Sequence, residues 1–521
     1  MDKGHAKTSV SDASAQYVRS EENSVLLPKH RPMERDPRYV EHVLAPRYAF
    51  ACREELPYLI AILVAHTIML RRQRILGDGA AAATVRALSD ISPERLPAYD
   101  PRFEDLFFVI EERVAAATGG QGEFRIALSR NDTWATLTRM MLRDQVLGII
   151  DALDDLREAV LDQAGRHRTT VMMAHTHHQH AQPTSVAHYL LAAAHTIGRC
   201  LDRYRDALER LDQSPMGAGA LTTTAFPIDR TYTASLLGFP GPVENSYDAV
   251  SAADYVAELA GCHATLATSL SRIVQDLILW ASSEVGALEL APGLLQISSI
   301  MPQKRNPVAL EHVRSDLSRL LGTCLEVWAS AHNVPFGDVN DPFDDLLPSL
   351  TAAHRQLCGT IRLLSRIVAT ATIRAEGWAA ALRGTFAIST ELADTLVRDG
   401  ELRFPEAHAA VTHLVAGRRA KPEGFAGIGP QEVEAAVLAA TGRTVRLSAD
   451  AIARAVDPQH FVASRNVLGG PGPEAVDAML FTARASLAAS RQSSRSARDR
   501  LEAARRIRSE GVAAGPVPRR D

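Results

Sequence analysis

The sequence predicts an all-α protein built around a bundle of long helices. Three observations carry that expectation. Aromatic residues make up only 5% of the 521 positions, while Ala and Leu, strong helix formers, are plentiful. Long stretches run without proline. Apolar residues within them recur three and four apart, the spacing that places side chains on one face of a helix.

Residues 1–40 are polar and unpatterned and read as a flexible arm. Residues 41–130 read as an N-terminal helical domain of short helices, interrupted near Gly77–Gly79 and Pro93–Pro101. Residues 131–358 form the central long-helix domain. Its first segment, Thr133 to Gln163, has no proline. Its second follows the candidate caps Thr184 and Ser185, with a stripe of Val186, Leu190, Ile197, Leu201, Tyr204, Leu208 and Leu211. The third spans 251–285, with Leu259, Cys262, Leu266, Leu270, Ile273, Leu277 and Trp280 in one row; thirty-odd helical residues extend about 50 Å. A fourth follows Pro307: Leu310, Val313, Leu317, Leu320, Cys324 and Val327. Alternating steps of three and four are the pattern of helices packed nearly parallel. Residues 359–490, punctuated at Gly400, Pro405, Pro422 and Gly470–Pro473, read as a smaller helical domain. Residues 491–521 carry nine arginines against four acidic residues and read as a basic, solvated helix end.

Composition excludes several classes of function. A net charge of −4 argues against a nucleic-acid binder. No run of eighteen uncharged apolar residues is present to cross a membrane, and the N-terminus has no apolar leader core. The five cysteines are far apart with no CxxC pair, as expected for small buried hydrophobes in a reducing compartment. The chain reads as cytoplasmic.

Two stretches carry chemistry. In "HTHHQHAQPTS" (175–185) four histidines occupy six positions. On the residues alone this is a metal site, a histidine-rich surface or one catalytic imidazole with neighbours. In "ISSIMPQKRNPVALEHVRS" (297–315), Ser298 and Ser299 lie in a loop, and Asn306-Pro307 opens a helix with Pro307 in the first turn. The free N–H groups of that turn, with Lys304 and Asn306 beside them, suit a carboxylate that gains negative charge. Taken alone, a helix cap explains the same residues.

"SSIMPQKRNP" resembles the GSSxMPxKxNP signature of the fumarase/aspartase superfamily. "SRNDTWAT" (129–136), "THHQHAQPTS", "MGAGALTTTAFPIDR" (216–230), "ENSYDAVS" (244–251), "ELADTLVRDGELRFPEAH" (391–408) and "VDPQHFVASRNVLGGPGPEAV" (456–476) are similar to its argininosuccinate lyase branch. The resemblance runs from about Pro46 to Leu480. It implies three helical domains and a homotetramer around a twenty-helix core, with sites shared between subunits. It implies elimination from a small-molecule N-succinyl substrate to release fumarate, without metal or cofactor. By resemblance Ser298 is the base. Lys304 and Asn306 stabilise the aci-carboxylate, with Ser299 beside them. His177 is the imidazole near the leaving nitrogen, Thr176 its substrate-binding neighbour and Glu311 its carboxylate partner. Ser129, Arg130 and Asn131 bind substrate carboxylates; the alternative for them is a cap before Asp132. His175, His178 and His180 are then packing or pocket-lining residues, and no metal is expected.

The chain also departs from that branch. Ile297 replaces the signature glycine, and Phe107 in "DLFFVIE" (105–111) replaces a histidine. In "VPFGDVNDPFDDLLP" (334–348), Asp338, Phe343 and Leu346 stand where tyrosine, glutamine and lysine are expected. "APRYAFACREEL" (45–56) offers Arg47 and Tyr48 in place of a serine. The succinyl side is kept and the amine side altered. The expectation is a C–N lyase acting on an N-succinyl compound other than argininosuccinate, with Arg47 free for a carboxylate and Asp338 for a cation. The alternatives are an argininosuccinate lyase proper and a catalytically silent homologue serving as a structural protein.

Overall fold

The computed structural model describes residues 35–421 and 423–513. Most of the expected N-terminal arm lies outside them, but from Pro37 onward the chain is already helical. It runs through two π-turns, Val40–Leu44 and Ala51–Glu55, into helix α1 (Leu56–Arg72). Helix α2 (Leu106–Ala117) starts where the Asp105 carboxylate accepts the amide of Phe107 at 2.9 Å.

Five helices make the bundle: α3 (Arg130–Arg166), α4 (Val186–Leu211), α5 (Asp254–Trp280), α6 (Val308–Ala331) and α7 (Leu347–Thr370). Ser129 and Asp132 close a capping box at the start of α3, and Ser185 caps α4. Helix α3 packs on α4 and α7, α5 on α4 and α6, and α6 on α7. All six residues of the α6 stripe are buried. In α4 only Leu208 of the stripe stays partly exposed. In α5, Val274 takes the buried place expected for Ile273, which packs half-exposed at the rim.

Inside the bundle Tyr204, His263 and His354 form a buried chain. The Tyr204 hydroxyl lies 2.6 Å from His263 Nδ1, and the two Nε2 atoms lie 2.7 Å apart. That contact needs one N–H and one bare nitrogen, so it cannot survive with both imidazoles fully protonated.

Short helices α8 (Ser389–Arg398), α9 (Ala449–Ala455) and α10 (Pro458–Ala463) pack in succession beyond the bundle. Helix α11 (Pro473–Ala513) then runs back along α3. The residues expected as a basic tail from 491 onward continue this helix to Ala513, and Arg491 and Arg498 dock on α3, as Arg484 does before them. Arg484 pairs with Asp162 at 2.8 Å, Arg491 with Glu158 at 2.7 Å and Asp155 at 3.0 Å, and Arg498 with Asp151. Steps of seven on α11 meet a descending series on α3, as antiparallel helices require. The 490/491 boundary therefore falls within one helix, as 358/359 falls within α7; 130/131 lies at the start of α3. Among the described residues no helix is long and apolar enough to cross a membrane.

Candidate active site

The signature stretch folds as a small hairpin. Strand β3 (Gln296–Ile297) pairs antiparallel with β4 (Arg305–Asn306), and residues 298–304 form the loop. Ser298 Oγ accepts the amides of Met301 at 3.0 Å and Ile300 at 3.3 Å. The loop is closed by the Lys304 amide donating to Met301 O at 3.0 Å and by Arg305 Nη1 donating to Pro302 O at 2.7 Å. Among the described residues, the side chains of Ser299, Lys304 and Asn306 have no partner. Ile297 and Ile300 are exposed, the latter at 82%. Pro307 is the cap rather than the first helical residue, so α6 begins one position later than expected. Glu311 lies exposed in its first turn.

The histidine stretch, which leads to the expected cap of α4, is a second hairpin: β1 (Val171–Thr176) against β2 (Gln179–Ser185). His177 and His178 form its two-residue turn with φ of 52° and 60°. Positive φ at both positions defines a type I′ turn, where Asn-Gly is usual; each non-glycine residue there costs roughly 1–3 kcal/mol. The turn holds His177 and Thr176 at an exposed tip. His175 and His180 pack edge to face across the strands, centroids 5.3 Å apart. No hydrogen bond or ion pair joins His177 to Glu311 within the chain. Among the described residues no group of three His, Cys, Asp or Glu side chains is arranged to hold a metal ion.

At the start of α3, Ser129 and Asn131 are bonded to each other, with the Ser129 hydroxyl donating to Asn131 Oδ1 at 3.0 Å. Arg130 pairs with Asp105 at 2.6 Å and Glu104 at 3.3 Å. Arg47, expected to be free, lies on the short α-helix Ala45–Phe50 and pairs with Glu55 at 2.7 Å and Asp344 at 3.0 Å, each on a π-helical segment. Burial holds the Glu55 carboxyl up at about 7 against the pull of Arg47. Asp338 is half-buried; burial and Asp344 raise its pKa against the opposing Arg130.

The remaining amine-side candidates turn inward. Tyr48 is buried, with its hydroxyl donating to Pro97 O at 3.1 Å. Phe107 packs edge-on against Phe108 and Phe124. Phe343 and Leu346 belong to the core. What surrounds the two arginines is a surplus of carboxylates: Glu55, Glu104, Asp105, Asp338 and Asp344. Of these only Asp338 is singled out by the sequence; Glu55, Glu104, Asp105 and Asp344 are not, although Asp105 heads the "DLFFVIE" stretch and is recognisable as a cap. Asp132 likewise enters the sequence reading only as the residue that follows a possible cap. Its fully buried carboxylate accepts the amides of Gly217 and Gly219, both at 2.9 Å, and of Ser129 at 3.1 Å. It thereby ties the Ser129–Asn131 cap to a glycine loop whose φ values, +84° and +61°, suit glycine.

A lyase family model matches residues 109–322. Argininosuccinate lyase 2 of Agrobacterium fabrum is 37% identical over 444 residues, covering 84% of this chain and 88% of that protein. The crystal structure of an EDDS lyase in complex with formate superposes with a TM-score of 0.80 at 31% identity, covering 92% of this chain and 95% of that one. A class II fumarase from Schistosoma mansoni, at 16% identity and a TM-score of 0.62 over 78% of this chain and 90% of its own, shares the fold. An all-α bundle with these hairpins and these relatives defines a fumarate-releasing carbon–nitrogen lyase. Within that class, the chain belongs to the argininosuccinate lyase branch of the fumarase/aspartase superfamily.

Proposed function

We propose that the protein cleaves an N-succinyl compound whose leaving amine is cationic, with Ser298 as the base. Ser298 removes the proton from the carbon beside one succinyl carboxylate. The C–H electrons become the new C=C of fumarate, and the C–N pair leaves on nitrogen, which takes up a proton. The observation that carries this reading is the pair of amides, Ile300 and Met301, directed at Ser298 Oγ. A serine is a poor base unless its alkoxide is stabilised, and fixed N–H donors do that without reorganisation. Lys304, Asn306 and the N-terminus of α6 meet the aci-carboxylate. The unpartnered His177 and Glu311 pair across a subunit boundary in a homotetramer, and His177 supplies the nitrogen's proton.

The acidic surround of Arg47 and Arg130 favours a positive charge on the amine. It disfavours a further carboxylate there, because both arginines are already paired and an unpaired buried charge costs several kcal/mol. Argininosuccinate carries such a carboxylate and is the second reading, supported by the relatives that bear its name. The EDDS lyase relative supports a wider substrate range for this branch. Fumarate release from N-succinyl diamines and from argininosuccinate, followed by ultraviolet absorbance, tests the assignment. The reading expects the diamines to be the better substrates.

A further inference from the structure

Beyond the bundle, α8, α9 and α10 line an open cleft of about 530 Å³ that the reaction does not use. At its base Glu391, 5% exposed, divides its oxygens between Arg398 at 3.1 Å and Arg465 at 2.8 Å. Arg465 is also fixed over the Phe461 ring, 3.3 Å from its centroid, and donates to Phe461 O at 2.6 Å. Two guanidinium groups are thus held in place with N–H donors to spare. Around them, Asp394 on α8, Arg454 on α9 and His460 on α10 line the cleft with no side-chain partner among the described residues. Three arginines there face three carboxylates, Glu391, Asp394 and Asp399, so the lining is close to neutral yet carries both signs. Ala451 and Ala455 leave the space open.

We propose that this cleft is a second small-molecule site, for a free α-amino acid, coupled to the His177 hairpin. The carboxylate is met by Arg454 and His460 and the ammonium by Asp394. A zwitterion matches a neutral, two-signed lining, whereas a dicarboxylate or a simple amine leaves one set of partners unmet. The cavity lies in the range of small-ligand pockets. Its walls are bonded to the hairpin. Gln182 Nε2 donates to Thr390 Oγ1 at 3.0 Å, one residue before Glu391. Helix α10 packs on β1 and β2. Past Arg465, the chain accepts from Ser185 Oγ at Pro471 O (3.2 Å), and Gly469 O lies 2.9 Å from His188 Nε2. Ordering of the cleft by a ligand therefore changes the set of contacts that holds the base of the hairpin, and with it the position of His177.

The binding half of this proposal stands apart from the reaction assigned above; only the kinetic half rests on it. Calorimetry on the full-length protein with the common L-amino acids, and with succinate and methylamine as single-charge controls, tests the first half. At least one amino acid binds, the controls do not, and Arg454→Ala and Asp394→Asn each weaken binding at least about tenfold with melting temperature unchanged. Absence of binding, or equal binding by both variants, overturns the site. Fumarate release tests the coupling: the bound amino acid changes kcat or KM for the wild type and leaves both variants, whose basal turnover is normal, unaffected. Binding without any kinetic effect overturns the coupling and leaves the site. If no substrate releases fumarate, the proposed function fails while the calorimetric result still decides the site.

Discussion

Ser298 is worth little as a base in water, so its surroundings have to do most of the work. Replacing it with alanine removes the oxygen on which the Ile300 and Met301 amides converge and leaves the exposed loop otherwise intact. Ser298→Ala is expected to lower kcat by about 10³-fold or more while the thermal melt stays unchanged; near-normal turnover would shift the base elsewhere. The buried imidazoles give a prediction about pH. Burial pushes His354 down to about 4 and His263 well below its ordinary 6.5. Between 6.5 and 4 the unfolded chain binds protons that the folded one does not, so their contribution to stability is present above 6.5 and lost as pH falls. Glu55 and Asp132, both held up at about 7, act in the opposite sense: their contribution is lost as pH rises toward 7. The histidines are therefore isolated by difference. His354→Gln should flatten the acid side of the stability–pH curve, and curves parallel to wild type would contradict the assignment. At this scale the 296–306 hairpin could be marked out in the sequence because its motif is contiguous and folds on itself, which brings Ser298, Lys304 and Asn306 into one loop. The orientation of Tyr48, Phe107 and Phe343 was not legible, because a motif match places a residue without saying which way its side chain points. All three turn into the core.

The long helices were legible from periodicity because burial in a bundle depends on which face a residue occupies. The α6 stripe was read without error for that reason. The β1–β2 hairpin was not legible, since His-His is among the poorest sequence signals for a type I′ turn. His178→Gly relieves one left-handed residue and should raise stability by up to about 1 kcal/mol. If His177 needs the tip geometry alone, turnover is kept; a stability loss would mean that the His178 side chain holds the turn. The docking of α11 was missed because charge counting does not reveal partners a few hundred residues away. Its ion pairs are partly exposed, so Arg491→Ala should cost about 1 kcal/mol or less, and the difference should shrink in high salt as screening grows. A larger, salt-independent loss would point to packing by the arginine stem.

On the scale of the whole molecule, the chain leaves apolar surface exposed where a bundle would bury it. Leu321, Leu325 and Trp328 lie along the outer face of α6, with Leu325 64% exposed, and His177 and Glu311 lack partners within the chain. Both features fit the homotetramer of the 56.5 kDa chain with shared sites that we propose. Leu325→Glu should dissociate it in sedimentation and abolish turnover together, and an active monomer would remove the shared-site account. The central claim is tested most directly by purified enzyme offered an N-succinyl diamine and argininosuccinate side by side, with fumarate read by its absorbance. The account predicts release from both or from the diamine alone, with kcat/KM for the diamine near or above about 10⁴ M⁻¹s⁻¹ and clearly above that for argininosuccinate. Argininosuccinate cleaved at that efficiency with the diamine untouched would contradict it.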